Sequence, residues 1–172
     1  GTYRYDALGQ RIKKTYSYQG QSGTISGNTV SIYGPSGELL ADYTVENASG
    51  SRIDYILYGS QAIARRIVPQ SGSATVQDLY RNHLSQVFDL TAYTINSGAE
   101  TLYGMPYGSG GNDQFSGHKD DPETGLHYNL ARSLNPVIAR WNTPDPIIGN
   151  SYDPQSLNKY GYVRNDPVNL ID

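Results

Sequence analysis

Ser116-Gly117-His118-Lys119-Asp120-Asp121-Pro122-Glu123-Thr124-Gly125-Leu126-His127-Tyr128 opens a stretch that runs on to Asp166-Pro167-Val168-Asn169-Leu170-Ile171-Asp172. Four Asp-Pro pairs punctuate it: Asp121-Pro122, Asp145-Pro146, Asp153-Pro154 and Asp166-Pro167. Proline fixes φ and removes a backbone donor, and the aspartate before it can accept hydrogen bonds from its own backbone, so each pair sets a turn. A segment built this way predicts turns and short strands with little helix. Residues 124–132 fit either a short strand or a turn of helix, and Leu126, Leu130 and Leu134, recurring every four residues, tilt the reading slightly towards helix. The best single helix candidate is 155–160, with Pro154 in its first turn and Ser151 or Asp153 as cap.

Upstream the pattern changes to hairpins. Tyr3 and Tyr5 alternate before an Ala7-Leu8-Gly9 turn, and Ile12, Tyr16 and Tyr18 resume after it, so 2–18 reads as strand, turn, strand. Residues 19–28, rich in Gly, Ser and Gln, read as a loop. Two further hairpins follow, 30–33 with 39–45 and 53–58 with 62–68, then a polar loop at 69–73. Strands at 76–80 and within 86–95 lead to an Asn96-Ser97-Gly98 turn. The motif Tyr5-Asp6-Ala7-Leu8-Gly9-Gln10-Arg11 returns 28 residues later as Tyr33-Gly34-Pro35-Ser36-Gly37-Glu38-Leu39-Leu40. A weaker echo, Tyr58-Gly59-Ser60-Gln61-Ala62-Ile63-Ala64-Arg65, follows after another 25. Repeats of this period bury their apolar faces against their neighbours. Met105-Pro106-Tyr107-Gly108 and Ser109-Gly110-Gly111-Asn112 interrupt the hairpins and divide the chain into a repeat array, 1–108, and a core segment, 109–172.

These motifs resemble a known family. The first resembles the YD repeat, and 116–172 resembles the RHS repeat-associated core domain of bacterial RHS and insecticidal toxin-complex C proteins. The resemblance implies a mainly β fold: a spiralling antiparallel sheet of hairpins forming a partial shell, followed by the turn-rich core. Structural motif positions are then Tyr5, Asp6, Gly9, Arg11, Tyr33 and Gly37 in the repeats. In the core they are Gly117, Asp121, Glu123, Thr124, Gly125, Leu126, Arg132, Pro144 and Pro146. The implied role is encapsulation of a C-terminal toxin or effector by a secreted or cell-surface bacterial protein. Its implied partners are the rest of the shell and its cargo, or further copies of the chain through open strand edges.

The family's core also carries an aspartic autoprotease, with two Asp-Pro-x-Gly boxes. Here Asp145-Pro146-Ile147-Ile148-Gly149 stands for the first, with one extra Ile, and Asp172 for the start of the second, cut off 27 residues on. The expected pair is Asp145 with Asp172, one protonated and one ionised. Arg140 is expected to hold the ionised member or stabilise an oxyanion. The match departs from the family pattern at Asn129-Leu130-Ala131-Arg132-Ser133-Leu134-Asn135-Pro136, which keeps Ala, Arg and Pro, and at Asn82-His83-Leu84-Ser85-Gln86. Catalysis by the chain itself is left open, and Asp145 and Asp172 serve equally as turn caps.

Composition narrows the other classes. Against 16 Asp and Glu stand 13 Lys and Arg, a net charge of −3 without charge runs, which argues against nucleic acid and anionic membranes as partners. No apolar run of about 18 residues spans a bilayer. Cysteine is absent, which removes disulfides, thiolate catalysis and cysteine-ligated metal. His83, His118 and His127 with Asp120, Asp121 and Glu123 match no ligand spacing, so neither metal nor cofactor is expected. Asp145 with Asp153 as a glycosidase pair has no scaffold to set its separation. Tyrosine dominates the aromatics, 16 against 2 Phe and 1 Trp. In strands with one wet face that bias is better explained by half-buried packing than by sugar or peptide binding. The main alternative to encapsulation is a teneurin-like extracellular structural or adhesion module, and a stand-alone hydrolase comes third.

Overall fold

The computed structural model describes residues 1–81, 87–91, 94–95, 103, 116 and 118–170. Expectations for His83, the Asn96-Ser97-Gly98 turn, the 105–112 break, Gly117 and Asp172 lie outside the described residues. The chain forms two compact units, 1–80 with 89–94 and 81–88 with 95–172. It is mainly β, as expected, and the described residues contain no α-helix.

The first sheet is a meander in chain order: β1 (Thr2–Tyr5), β2 (Arg11–Gly20), β3 (Gly23–Tyr33), β4 (Leu39–Glu46), β5 (Ser49–Tyr58), β6 (Gln61–Pro69), β7 (Thr75–Arg81), β8 (Val87–Thr91) and β9 (Thr94–Ile95). Residues 19–28 correct the expected loop. β2 runs to Gly20 and β3 starts at Gly23, so only Gln21 and Ser22 turn. The segment pairs through polar side chains, such as the Ser17 and Ser26 hydroxyls at 2.9 Å, and polar strands carry no hydrophobic alternation to read. The β4–β5 connection is equally tight, with Asn47 and Ala48 both at positive φ, 46° and 67°.

The repeat motif owes its turn to a carboxylate. Asp6 Oδ1 accepts from the backbone N–H groups of Leu8 (2.9 Å) and Gln10 (2.8 Å), while Gly9 supplies a φ of 81°. In the second copy the Asp is replaced by Gly34, and the carboxylate comes from the other end of the turn. Glu38 Oε2 accepts from the Ser36 N–H at 3.0 Å. A Cβ on residue 34 would lie 2.3 Å from Glu38 Oε1, so the carboxylate occupies the space that a side chain there would take. Gln10 then donates from Nε2 to the Gly37 carbonyl at 2.9 Å, tying the first turn to the second. A register shift sits beside each motif tyrosine or one residue earlier, at Arg4/Tyr5, Ile32/Tyr33 and Ile56/Leu57, so the hairpins share a bulge as well as a turn.

The register separates two unlike faces. One carries a polar lattice: Ser31 Oγ to Asp42 Oδ1 (2.6 Å), Tyr55 Oη to Asp42 Oδ2 (3.3 Å), and Tyr16 Oη across β3 to Glu46 Oε2 (2.8 Å). The other carries Val30, Ile32, Tyr43, Val45, Ile56 and Val76, all 38–62% exposed. On the polar face Tyr16 and Tyr55 thus pack along the strands with their hydroxyls bonded.

The second sheet has four short antiparallel strands: β10 (Lys119–Asp121), β11 (Leu126–Asn129), β12 (Arg132–Asn135) and β13 (Arg140–Trp141). Residues 124–132 thus form a strand and two turns, against the helical reading. Leu130 occupies the β11–β12 turn at φ 43°, with Leu126 and Leu134 on the flanking strands. Two short strands joined by a two-residue turn place leucines four apart just as a helix does. The 155–160 helix is likewise corrected to one 3-10 turn, Pro154–Leu157. Pro154 takes its first turn as expected, but Asp153 makes no side-chain cap because its carboxylate pairs with Arg164 at 2.9 Å.

Direct pairing sets Asp120, His127, Leu134 and Trp141 in one row across all four strands. Leu134 and Tyr162 are fully buried and Trp141 nearly so, and Tyr103 and Val163 pack against them. This is the described core of the second unit.

Candidate functional site

Beside that core lies an open cleft of about 620 Å³, walled by Arg132 and Asp145, by Ile147 and Ile148, and by Lys159 and Arg164. Asp145 is fixed from three sides. Its N–H donates to the Lys159 carbonyl (2.8 Å), Oδ1 accepts the Ile147 N–H (2.8 Å), and Oδ2 meets Arg132 Nη1 at 2.9 Å. Pro144 and Pro146 flank it, so the aspartate sits in a turn whose φ angles are set on both sides. Arg132 is itself held, with its guanidinium carbon 4.3 Å from the Trp141 ring centroid.

Arg140 was expected to hold the ionised member of the pair or an oxyanion, but at Asp145 the paired cation is Arg132, and strand geometry gives the reason. Successive residues of a strand point to opposite faces, so Arg140 is turned away from the side on which Trp141 is buried. Its Nη1 donates instead to Asn158 Oδ1 at 3.4 Å. Arg132, on Trp141's side one strand over, takes the aspartate. Alternation along Arg140-Trp141 is the sequence signal that separates the two arginines once a buried Trp is assumed.

Gly149, the glycine of the first box, is required by close approach: a Cβ there would lie 2.3 Å from the Ser156 carbonyl oxygen. Opposite, Tyr162–Asn165 is a tight turn in which Val163, Arg164 and Asn165 all hold positive φ, 38°, 56° and 63°. Arg164 to Asp153 and Asn165 Nδ2 to Gln155 Oε1 (2.9 Å) brace that strained turn. Asp153 is thereby occupied as an ion-pair partner.

The remaining motif residues shape the β10–β11 hairpin. Asp121 is buried, and its carbonyl accepts from the N–H groups of Thr124 (2.9 Å) and Gly125 (2.8 Å) and from Thr124 Oγ1 (3.2 Å). Glu123 lies in the turn, Gly125 takes φ 68°, and Leu126 pairs with Asp121. In the repeats, Tyr5 pairs with Arg11, whose buried guanidinium lies 5.3 Å from the Tyr3 ring centroid, and Tyr33 Oη reaches the Arg11 carbonyl at 3.4 Å. Among the described residues no three His, Asp, Glu or Cys side chains gather as a metal site. His127 Nδ1 pairs with Asp120 Oδ1. His118 is 2% exposed, with its ring centroid 5.8 Å from those of both Trp141 and Tyr162. Burial, aided by His127, lowers its pKa to about 3. No sequence signal marked this histidine as buried.

No family model matches the chain. It is similar to the tRNA3(Ser)-specific nuclease WapA of Bacillus spizizenii, 28% identical over 193 aligned residues, covering 99% of this chain and 7% of that protein. Against the tRNA nuclease WapA of Bacillus subtilis strain 168 it is 28% identical over 178 residues, with the same coverage. Among solved structures, it superposes on one chain of the TcdB2-TccC3-TEV crystal structure with a TM-score of 0.71 at 24% identity, covering 99% of this chain and 8% of that one. The Tc holotoxin pore of Photorhabdus luminescens with a mutated TccC3 gives the same TM-score and coverage at 22% identity. These structures share the fold. The chain spans less than a tenth of the length of each relative. No helix among the described residues is long and apolar enough to cross a membrane.

Proposed function

We propose that this chain is part of an RHS-type encapsulating shell in a secreted toxin protein, with 1–108 belonging to the repeat wall and 109–172 to the core that frees the cargo. The cleft at Asp145 is then one half of an aspartic autoprotease. The observation that carries this reading is the seating of Asp145. Its carboxylate is oriented by Arg132 and the Ile147 N–H, yet its side chain stays 31% exposed in an open cleft, within reach of a water or a peptide carbonyl. Hydrolysis by an aspartate pair needs one ionised carboxylate to take a proton from water and one protonated carboxyl to donate to the scissile carbonyl. Asp172 is the proposed second member. The likeness to WapA nucleases and to TccC3-containing structures supports a toxin context. The position of β1 at one end of the described sheet suits pairing with the rest of the shell.

The test is the intact mass and C-terminal peptide of the protein as its source makes it. A discrete species ending shortly after Asp172, abolished by Asp145→Asn, is the expected result. A chain running on uncleaved overturns the proteolysis and leaves the core a structural cap, which favours the adhesion module.

A further inference from the structure

The second unit is built around a buried titratable ring. His118 precedes β10, two residues before Asp120, so strand alternation places it on the face that carries the Asp120, His127, Leu134 and Trp141 row. Only 2% exposed, it packs against both Trp141 and Tyr162, whose own centroids are 5.6 Å apart, so the three rings form a near-equilateral cluster. The charged and titratable groups on its face of the sheet come from three of the four strands and from the turn at Tyr162. They are Asp120 on β10, His127 on β11 paired to Asp120, Arg132 on β12 against Trp141, and the Tyr162 phenol. From this ring a continuous line of contacts reaches the cleft: His118 to Trp141 at 5.8 Å, Trp141 to Arg132 at 4.3 Å, Arg132 to Asp145 at 2.9 Å.

We propose that His118 is an acid-sensitive lock on this line: its protonation expels the imidazole from its cluster with Trp141 and Tyr162 and releases the Arg132–Asp145 wall of the cleft. The neutral ring suits a buried aromatic site, whereas an imidazolium there loses its hydration. Beside burial, the neighbouring His127 also disfavours the imidazolium. The direction of the pH effect follows. An unfolded chain takes up the His118 proton near the ordinary value of 6.5, while the folded chain resists until about 3. The unfolded or opened state therefore binds more protons across that interval, and stability falls as pH falls through it. One such group weakens the folded-to-open ratio about tenfold per pH unit. The lock concerns the packing alone, and only its consequence for cleavage rests on the proteolytic reading of Asp145.

The chain reports on itself, because Trp141 is its only tryptophan. The experiment follows Trp141 emission and near-UV dichroism of the 172-residue chain from pH 7 to pH 3, for the wild type and for His118→Phe. The expected result is a red-shift in the wild type within that window and an acid midpoint lower by at least about one pH unit in the variant. Equal midpoints overturn the lock. Should His118→Phe fail to fold, the His118 ring proton shifts of the wild type decide the matter. No titration until Trp141 opens supports the lock, and a smooth titration near the ordinary histidine value with Trp141 emission unchanged overturns it. Cleavage of the source protein at pH 7 is scored separately by mass. Cleavage with an unshifted midpoint removes only the lock, and a shifted midpoint without cleavage removes only the proteolysis.

Discussion

Arg132 meets Asp145 at 2.9 Å while the same guanidinium lies over the ring of Trp141, so one side chain both covers the core and braces the cleft. Arg132→Ala removes a cation from a largely buried pair and a contact from the Trp141 ring. We expect a loss of about 2–3 kcal/mol, moderated by the partial exposure of Asp145. Arg140→Ala, on the opposite face, should stay within about 0.5 kcal/mol of wild type. Urea midpoints of the two variants decide between them, and equal losses would show that the pairing at Arg132 carries no special weight.

The exchange of carboxylates between the first two repeats predicts a rescue. Gly34→Asp alone brings a side chain into the space of Glu38, with two like charges in contact, and should cost about 1–3 kcal/mol. Adding Glu38→Gln rebuilds the arrangement of the first turn, where Gln10 follows Gly9. The double variant should recover most of the loss in a thermal melt. A strictly additive pair would contradict the equivalence of the two turns.

At Gly149 the constraint is contact rather than torsion. A methyl group 2.3 Å from the Ser156 carbonyl oxygen meets backbone, which has no rotamer with which to escape. Gly149→Ala should therefore cost about 2–4 kcal/mol and displace the 3-10 turn at Pro154–Leu157. Chemical-shift changes confined to residues near 149 and 154–157, with an unchanged first sheet, are the expected pattern.

Ala48 offers a stabilising change. It holds φ 67° in an exposed two-residue hairpin beside Asn47 at φ 46°, the pattern of a type I′ turn that favours Asn-Gly. Ala48→Gly should raise stability by about 0.5–1 kcal/mol, read as a higher denaturant midpoint at constant slope. A lower midpoint would place the greater weight on the entropy of the unfolded glycine.

The hairpin array was legible because its signals are local: tyrosines before tight turns, and glycines that take positive φ. The strand ends within 19–28 escaped because Gln19 with Thr24, Ser17 with Ser26 and Gly20 with Gly23 pair across strands without leaving an apolar stripe. Leu126, Leu130 and Leu134 misled for the opposite reason, since a hairpin of short strands reproduces a helical spacing. At the site, Asp145 was legible from its Asp-Pro box, whereas its cation was not. Choosing Arg132 over Arg140 depends on which face of a two-residue strand is buried, and that is decided by Trp141 and Tyr162, far apart in sequence. His118 gained its environment the same way, from three strands and a turn that only the folded chain assembles.

The turn of the second repeat carries a lesson for recognising such arrays. Its closing carboxylate arrives from Glu38 while the usual position holds Gly34, and it meets the N–H of Ser36 just as Asp6 meets that of Leu8. A tally of Tyr-Asp pairs therefore undercounts hairpins of this kind. A profile that accepts an acid at either end of the loop, provided glycine stands at the vacated one, would find members that the simpler pattern passes over.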